Sequence, residues 1–336
     1  MDRTVNQFAI NNFSLQCGTT LSEANIIYKT YGELNSDRSN VILYPTSYGA
    51  QHLDLEWLIK PNGILDPSQY FIIIANMFGN GLSSSPSNHP DYKLAESGFY
   101  TTHLDNVRAQ KQLLEHLGIE KLALVYGWSM GAQQAYHWGV LYRDQLDCIA
   151  AICGTAKTTE HNKIFLQSLR TALTADPAWN GSKFEAIPDR GFKAFARIYA
   201  SWAASQAYYR EGIYYQFGYD SLEDYLLRGW EANYRKRDPH NLLAMIDTWL
   251  HCDVSNNPIY QGDYQQALTS ITAKTLVMPS ETDLYFTPED CKAEADLISN
   301  SEYLPIPSIW GHRAGNPEQN SEDELFIKKA VLNLLD

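Results

Sequence analysis

The chain alternates short apolar runs, rich in β-branched residues, with longer segments in which apolar residues recur at helical spacing. The short runs predict strands over residues 25–31, 40–44, 70–76, 121–126 and 148–153. The longer segments predict helices over residues 105–117 and 130–142. This alternation is typical of a mostly parallel sheet with helices on both faces, so an α/β core is expected.

The pattern changes near residue 155, where aromatic residues become dense, as in "FARIYASWAASQAYY", and the periodicity is helical throughout. Strand-and-helix alternation returns with an apolar run at residues 275–278, and three further elements follow it: a helix at 288–297, a strand at 302–304 and a helix at 322–335. We therefore expect a core made of residues 1–154 and 266–336, with residues 155–265 inserted as a helical cap.

Composition and charge exclude several classes of function. The 336 residues are 44% hydrophobic, enough for a large core, and the net charge of −13 disfavours binding to nucleic acid or anionic membranes. The five cysteines are odd in number and form no C-x-x-C pair, so neither a disulfide framework nor a metal site is predicted. Residues 1–20 lack a signal-peptide pattern and no apolar stretch is long enough to span a membrane, so a cytoplasmic protein is expected.

The clearest chemical signal is "GWSMG", residues 127–131, directly after the apolar run at 122–125. It matches G-x-S-x-G, in which a serine occupies a sharp turn between a strand and a helix and its hydroxyl projects above the sheet. This strand, turn and helix are typical of the α/β-hydrolase fold, with Ser129 as nucleophile. A chance match in an ordinary turn is the alternative, so the rest of the chain must decide.

A serine nucleophile needs a base that takes its proton and a carboxylate that orients the base, and in this fold they follow in the order acid, then histidine. Asp283 follows the strand at 275–278, and His312 lies in the polar loop "SIWGHRAG" before the last helix. Sites in such sheets gather at the carboxyl ends of the strands. Ser129, His312 and Asp283 are therefore predicted to form a catalytic triad.

Other residues could fill these roles less well. Asp253 and Glu281 are the rival acids, but Asp253 falls within the predicted cap. The remaining histidines considered as bases lack a loop position after a core strand: His103, His116, His137, His161 and His251.

An oxyanion hole requires two backbone N–H donors. The amide of Met130 is one candidate, and the loop "YPTSYGAQH" supplies the other, with Ser47 preferred to Thr46 by position and Gly49 allowing the chain to turn back. The alternative for this loop is an ordinary turn.

Several longer segments, taken in order, resemble the homoserine O-acetyltransferase family of α/β-hydrolase-fold enzymes. They are "YKTYGELNSDRSNVIL", "LDPSQYFIIIANMFGNGLSSSPS", "DNVRAQKQLLEHLGIEKLALVYGWSMGAQQAYHW" and "RTALTADPAWNG". The resemblance implies that Ser129 takes an acyl group from an ester or thioester and passes it to an alcohol. It also implies a cap that forms a tunnel to the serine and a dimer contact. Arg197 matches the family's carboxylate-binding arginine; its alternative is an ion pair with a surface carboxylate.

Two positions depart from the family pattern. The residue before the nucleophile is usually glycine and is Trp128 here, which reshapes the pocket. The family's acceptor-binding aspartate follows the catalytic histidine, where this chain has Arg313. A cation there would repel the ammonium group of homoserine.

We therefore expect an acyl-transfer enzyme with homoserine disfavoured as acceptor. The alternative is an esterase, thioesterase or lactonase that uses water, and a third hypothesis is a non-catalytic binding module on the same fold. No cofactor is predicted, although acetyl-CoA or another acyl thioester would serve a transferase as co-substrate. The expected partners are the small-molecule acyl donor and acceptor, with a homodimer through the cap.

Overall fold

The molecule is built around one eight-stranded sheet. The computed structural model describes residues 5–92 and 98–336. The strands are β1 Val5–Ser14, β2 Thr20–Tyr31, β3 Val41–Pro45, β4 Phe71–Ala75, β5 Leu122–Trp128, β6 Leu146–Ile152, β7 Lys274–Met278 and β8 Ser301–Tyr303. They lie in the order β1-β2-β4-β3-β5-β6-β7-β8. Strand β2 is antiparallel to β1 and β4, and the remaining pairs are parallel. The predicted mostly parallel sheet is confirmed.

The helices cover both faces of this sheet. They are α1 His103–His116, α2 Met130–Leu141, α3 Glu160–Thr174, α4 Asp189–Ala203, α5 Gln206–Arg210, α6 Leu222–Asp224, α7 Ala232–Tyr234, α8 Pro239–Leu250, α9 Tyr264–Thr269, α10 Pro288–Ala295 and α11 Ser321–Leu335. A π-helical segment, Tyr225–Glu231, joins α6 to α7. Short 3-10 helices occupy His52–Asp54, Glu56–Leu58, Arg143–Gln145, Ile213–Phe217 and Gly311–Gly315.

Alternate residues of the central strands enter two separate hydrophobic clusters, one on each side of the sheet. In β3, Leu43 belongs to the cluster that contains α1 and α2, whereas Ile42 and Tyr44 belong to the cluster that contains α11. Since side chains of a strand point alternately to opposite faces, strands buried on both faces need continuous apolar runs. This requirement explains why the inner strands could be predicted from the sequence.

Strand β1 was not predicted, and β2 begins five residues earlier than the expected start. Most of β1 is exposed or half-buried, with only Ile10 and Phe13 buried, because it forms the outer edge of the sheet and pairs with β2 alone. Between β6 and β7 the chain adds no strand to the sheet and forms α3 to α9, all of them described residues. The division of the chain into a core and a cap domain stays a prediction. None of the described helices combines the length and apolarity needed to cross a membrane.

Candidate active site

Ser129 lies at the turn between β5 and α2, in a backbone conformation that L residues rarely adopt. Its φ is 59° and its ψ is −124°, and Ser129 as a whole is 2% exposed to solvent. A Cβ at Gly127 would lie 2.2 Å from the carbonyl oxygen of Gly131, and one at Gly131 would lie 2.7 Å from that of Pro45. Both glycines are therefore required by close backbone packing, and together they hold the serine in its strained turn.

His312 and Asp283 are in direct contact. Nδ1 of His312 lies 2.7 Å from Oδ2 of Asp283, and both residues are buried. The other carboxylate oxygen, Oδ1, accepts the backbone N–H groups of Tyr285 and Phe286 at 2.8 and 3.2 Å. Because a carboxylate only accepts, Nδ1 carries the proton of the neutral imidazole, and Nε2 is left as the basic atom.

Trp128, the residue before Ser129, connects the elbow to the histidine. Its indole ring stacks on the imidazole of His312 with centroids 5.2 Å apart, and its Nε1 donates to the backbone carbonyl of His312 at 3.3 Å. The rings of Tyr285 and Phe286 contact the same imidazole at 4.7 and 5.5 Å. The predicted base and acid are thus in contact, and Trp128 joins the base, which is enclosed by aromatic rings, to the residue next to the predicted nucleophile.

A thiol completes this group. Sγ of Cys153, a carboxylate oxygen of Asp283 and a ring nitrogen of His312 all lie within 4.8 Å of one another. These are residue types that bind metals, but the 2.7 Å between Nδ1 of His312 and Oδ2 of Asp283 is the ordinary length of a charge-assisted hydrogen bond. The geometry is that of a hydrogen-bonded acid–base pair. Nothing in the sequence around Cys153 singled it out.

The predicted oxyanion donors flank the elbow. The Ser47 hydroxyl donates to the carbonyl oxygen of Trp128 and lies 3.4 Å from the N–H of Gly131, which brings its loop against the turn. Within the described residues, neither the Ser47 nor the Met130 amide donates to a protein acceptor. The amide of Thr46, the second choice, is used in a bond to Ala75. Two unused amides beside the serine match the donors that an oxyanion requires.

The two arginines predicted to bind substrate differ in their surroundings. Arg197 donates to the buried Glu231 at 2.9 Å and to both carboxylate oxygens of Glu223. Its charge is thus compensated within the protein, which is the alternative given for it above. A role in substrate binding would require these ion pairs to open.

Arg313 has no such compensation. It donates to the hydroxyl groups of Tyr208 and Tyr225 at 2.9 and 2.8 Å, and its guanidinium lies over the rings of Tyr208 and Trp310. Among the described residues, no carboxylate lies within ion-pair distance of it. A cation held by neutral partners therefore follows the histidine directly in the chain.

The rival residues are used elsewhere. Asp253 pairs with Lys157 at 2.7 Å, and His137 and His103 form a buried pair around Gln133. Burial lowers the pKa of His103 to about 3 and that of His137 to about 4, so both are neutral near pH 7. No contact joins either histidine to Asp283.

Comparison with known proteins identifies the family. Residues 60–312 match the model of the α/β-hydrolase fold family. The chain belongs to the α/β-hydrolase family. It is similar to an ethyl acetate hydrolase of Pseudomonas veronii, with 40% identity over 308 residues, covering 90% of this chain and 87% of that protein. An acetylester hydrolase from Corynebacterium glutamicum has the same fold, with a TM-score of 0.94 and 36% identity over 99% of this chain and 96% of that one.

The resemblance to acyltransferases of the same superfamily is also confirmed. The homoserine O-acetyltransferase of Methanococcus vannielii is 29% identical over 363 residues, covering 97% of this chain and 73% of that protein. This chain is accordingly an α/β-hydrolase enzyme whose relatives are esterases and acyltransferases.

Proposed function

We propose that the protein is a serine ester hydrolase that cleaves acetyl and other short-chain esters by way of an acyl-enzyme on Ser129. The observation that carries this proposal is the buried 2.7 Å contact between His312 and Asp283, set against the strained serine elbow by Trp128. The 40% identity to an ethyl acetate hydrolase supports the ester as substrate.

In the first half of the reaction, Oγ of Ser129 attacks the ester carbonyl carbon while Nε2 of His312 takes the hydroxyl proton. The amides of Met130 and Ser47 stabilise the tetrahedral oxyanion. When the carbon–oxygen bond of the ester breaks, the imidazolium returns the proton to the departing alcohol, and an acyl-serine remains. Asp283 keeps the imidazole oriented and stabilises its charged form.

In the second half, water attacks the acyl-serine and gives its proton to Nε2 of His312. Collapse of the second tetrahedral intermediate releases the carboxylic acid and restores the serine hydroxyl. The reaction consumes ester and water alone, so no cofactor is required.

Arg313 favours water over the amino-alcohol acceptor of the acyltransferases. The resemblance places Arg313 where that family has an acceptor-binding aspartate, and its charge is held by two tyrosine hydroxyls rather than by a carboxylate. An ammonium group would be repelled at this position, whereas a neutral ester or water would not.

Transfer of the acyl group to an alcohol is the second candidate, and the 29% identity to a homoserine O-acetyltransferase across 97% of the chain supports it. The two functions share the acyl-enzyme and differ in what accepts the acyl group.

Three measurements test the proposal. A fluorophosphonate probe should label the wild type but not Ser129→Ala, and an unlabelled wild type would instead indicate a binding module. The wild type should release acid from ethyl acetate in a pH-stat assay. Incubation of ethyl acetate or acetyl-CoA with homoserine and other small alcohols should yield free acetate, and a new acetyl ester as the main product would establish the transferase.

A further inference from the structure

Two buried residues of this chain share an unusual backbone conformation. Six described residues other than glycine have a positive φ, and four of them are exposed: Asn12 within β1, and Arg38, Asn62 and Gln261 in turns or bends. The two that are buried are Ser129, with φ 59°, and Cys153, with φ 47°. Such conformations are strained and persist at functional sites, where the surroundings impose them. Ser129 has a proposed role that explains its strain, and Cys153 has none so far.

Cys153 follows β6, which lies between the strand that ends at the elbow of Ser129 and the strand that leads to the loop of Asp283. It follows the last residue of β6, and its N–H donates to the carbonyl oxygen of Met278 at the end of β7. The neighbouring strand β5 ends at the elbow, and β7 leads into the loop that carries Asp283. This position brings the thiol within 4.8 Å of the acid and the base.

The segment that follows His312 packs directly on the sulfur. A Cβ at Gly315 would lie 2.8 Å from Sγ of Cys153 and 2.5 Å from the indole of Trp128. Glycine is therefore needed there for the close approach of the chain to the sulfur. Cys153 is fully buried.

The carboxylate of Asp283 has one place left for a donor. Two amides occupy Oδ1, and the imidazole occupies one lone pair of Oδ2. A carboxylate offers about four lone-pair directions in all. Sγ of Cys153 lies within 4.8 Å of a carboxylate oxygen of Asp283, and because burial raises the pKa of the thiol well above its usual value, the proton stays on the sulfur and can be directed at that carboxylate.

We propose that Cys153 is a positioning residue of the triad, whose S–H group donates to the Asp283 carboxylate and fixes it beneath His312. This proposal rests on the function proposed above. The bond also withdraws part of the negative charge from the carboxylate, which lowers the tendency of the neighbouring imidazole to hold a proton.

Other titratable groups surround the thiol from every packed element. They are Asp283 and His312 themselves, Asp323 of α11, Cys291 of α10 and Tyr126 of β5. Burial raises the pKa of the Cys291 thiol and of the Tyr126 hydroxyl, and both stay protonated across neutral pH. Cys291 and Tyr126 therefore do not contribute to the acidic side of the pH–rate profile, and Asp323, whose pKa is raised by burial, is common to the wild type and to every Cys153 variant.

The test compares Cys153→Ala, Cys153→Ser and a matched control, Cys148→Ala. Cys148 is a buried cysteine at the other end of β6, where its thiol contacts the carbonyl of Leu334. In Cys153→Ala, kcat for p-nitrophenyl acetate should fall about fivefold. The acidic limb of kcat/KM should move to higher pH by about 0.5 unit, because the carboxylate regains its full charge.

Cys153→Ser retains a donor, so its acidic limb should lie at or below the wild-type position and its kcat should exceed that of Cys153→Ala. In Cys148→Ala the acidic limb of kcat/KM should lie at the same pH as in the wild type. A merely structural role would lower the melting temperature of Cys153→Ala without moving the limb, and that result would overturn the proposal. If Cys153→Ala does not fold, the serine variant decides: a limb at higher pH than in the wild type would overturn the proposal.

Failure of the proposed function gives a different result. A wild type that neither reacts with the fluorophosphonate probe nor cleaves esters would refute the triad and the role of Cys153 together. An active wild type with an unchanged limb in Cys153→Ala would refute the role of Cys153 alone.

Discussion

Nδ1 of His312 and Oδ2 of Asp283 are 2.7 Å apart, and the remaining oxygen of Asp283 is held by two backbone amides. In Asp283→Asn these amides would face the carboxamide, and the imidazole would lose both its fixed tautomer and the charge that stabilises its protonated form. We expect kcat for p-nitrophenyl acetate to fall by about 10³- to 10⁴-fold.

The matched control is Asp253→Asn, which removes the acid that pairs with Lys157 away from the site. Its kcat should stay within about threefold of the wild type, because it lacks contact with the imidazole. Equal losses in the two variants would contradict the assignment of Asp283.

The charge of Arg313 should control selectivity for the alcohol part of the ester. Acetylcholine and 3,3-dimethylbutyl acetate have similar shapes, and only acetylcholine is cationic. Because Arg313 has no described carboxylate partner, Arg313→Gln should raise the ratio of kcat/KM for acetylcholine over the neutral ester by about tenfold. Arg197→Gln should leave this ratio unchanged, since Glu223 and Glu231 already compensate Arg197. An equal shift in both variants would show that the effect is one of overall charge.

The glycines of the elbow should tolerate no side chain. In Gly127→Ala the new methyl group would lie 2.2 Å from the carbonyl oxygen of Gly131, where backbone surrounds it, and we expect a loss of about 3 kcal/mol in the free energy of unfolding. Gly181→Ala adds a methyl group in open space at a positive φ and should cost about 1 kcal/mol. Urea unfolding followed by circular dichroism measures both, and equal losses would show that close packing is not what requires Gly127.

Glu294 should make stability fall as the pH rises. It is buried in α10, accepts the hydroxyl of Tyr264 at 2.5 Å and the N–H of Ala156 at 2.8 Å, and burial raises its pKa to about 8. The folded state therefore holds a proton that the unfolded state loses near pH 4.5, and stability declines between about pH 4.5 and 8.

Glu294→Gln keeps an uncharged group in place and should remove this part of the decline. At pH 8 we expect its melting temperature to exceed that of the wild type by about 3 °C, with a smaller difference at pH 5. Glu289→Gln, an exposed position of the same helix, is the control and should follow the wild type at both pH values. A difference that did not grow with pH would contradict the assigned ionisation.

The sequence predicts what depends on local pattern. The inner strands were readable because burial on both faces demands apolar runs, and Ser129, Asp283 and His312 were selected by motif, chain order and loop position. Strand β1 lacks such a pattern because one neighbour and partial exposure permit polar residues there.

Cys153 and the partners of Arg197 could not be predicted for a different reason. A single cysteine after a strand gives no signal, and the role proposed for Cys153 depends on Asp283 and Gly315, which are distant in the chain. The ion pair between Arg197 and Glu231 likewise depends on how α4 packs against the π-helical segment.

The loop that carries His312 is fastened to helices outside the sheet. The Ser205 hydroxyl donates to the carbonyl of Ile309, Arg313 donates to Tyr208, and Gly311 packs so closely on the backbone of Ala203 and Ser205 that a Cβ would clash. A displacement of α5 would therefore drag the imidazole with it. Any movement of these helices that admitted a substrate would then also displace His312. The enzyme would be inactive in that open state and would regain its proton acceptor only when the helices returned.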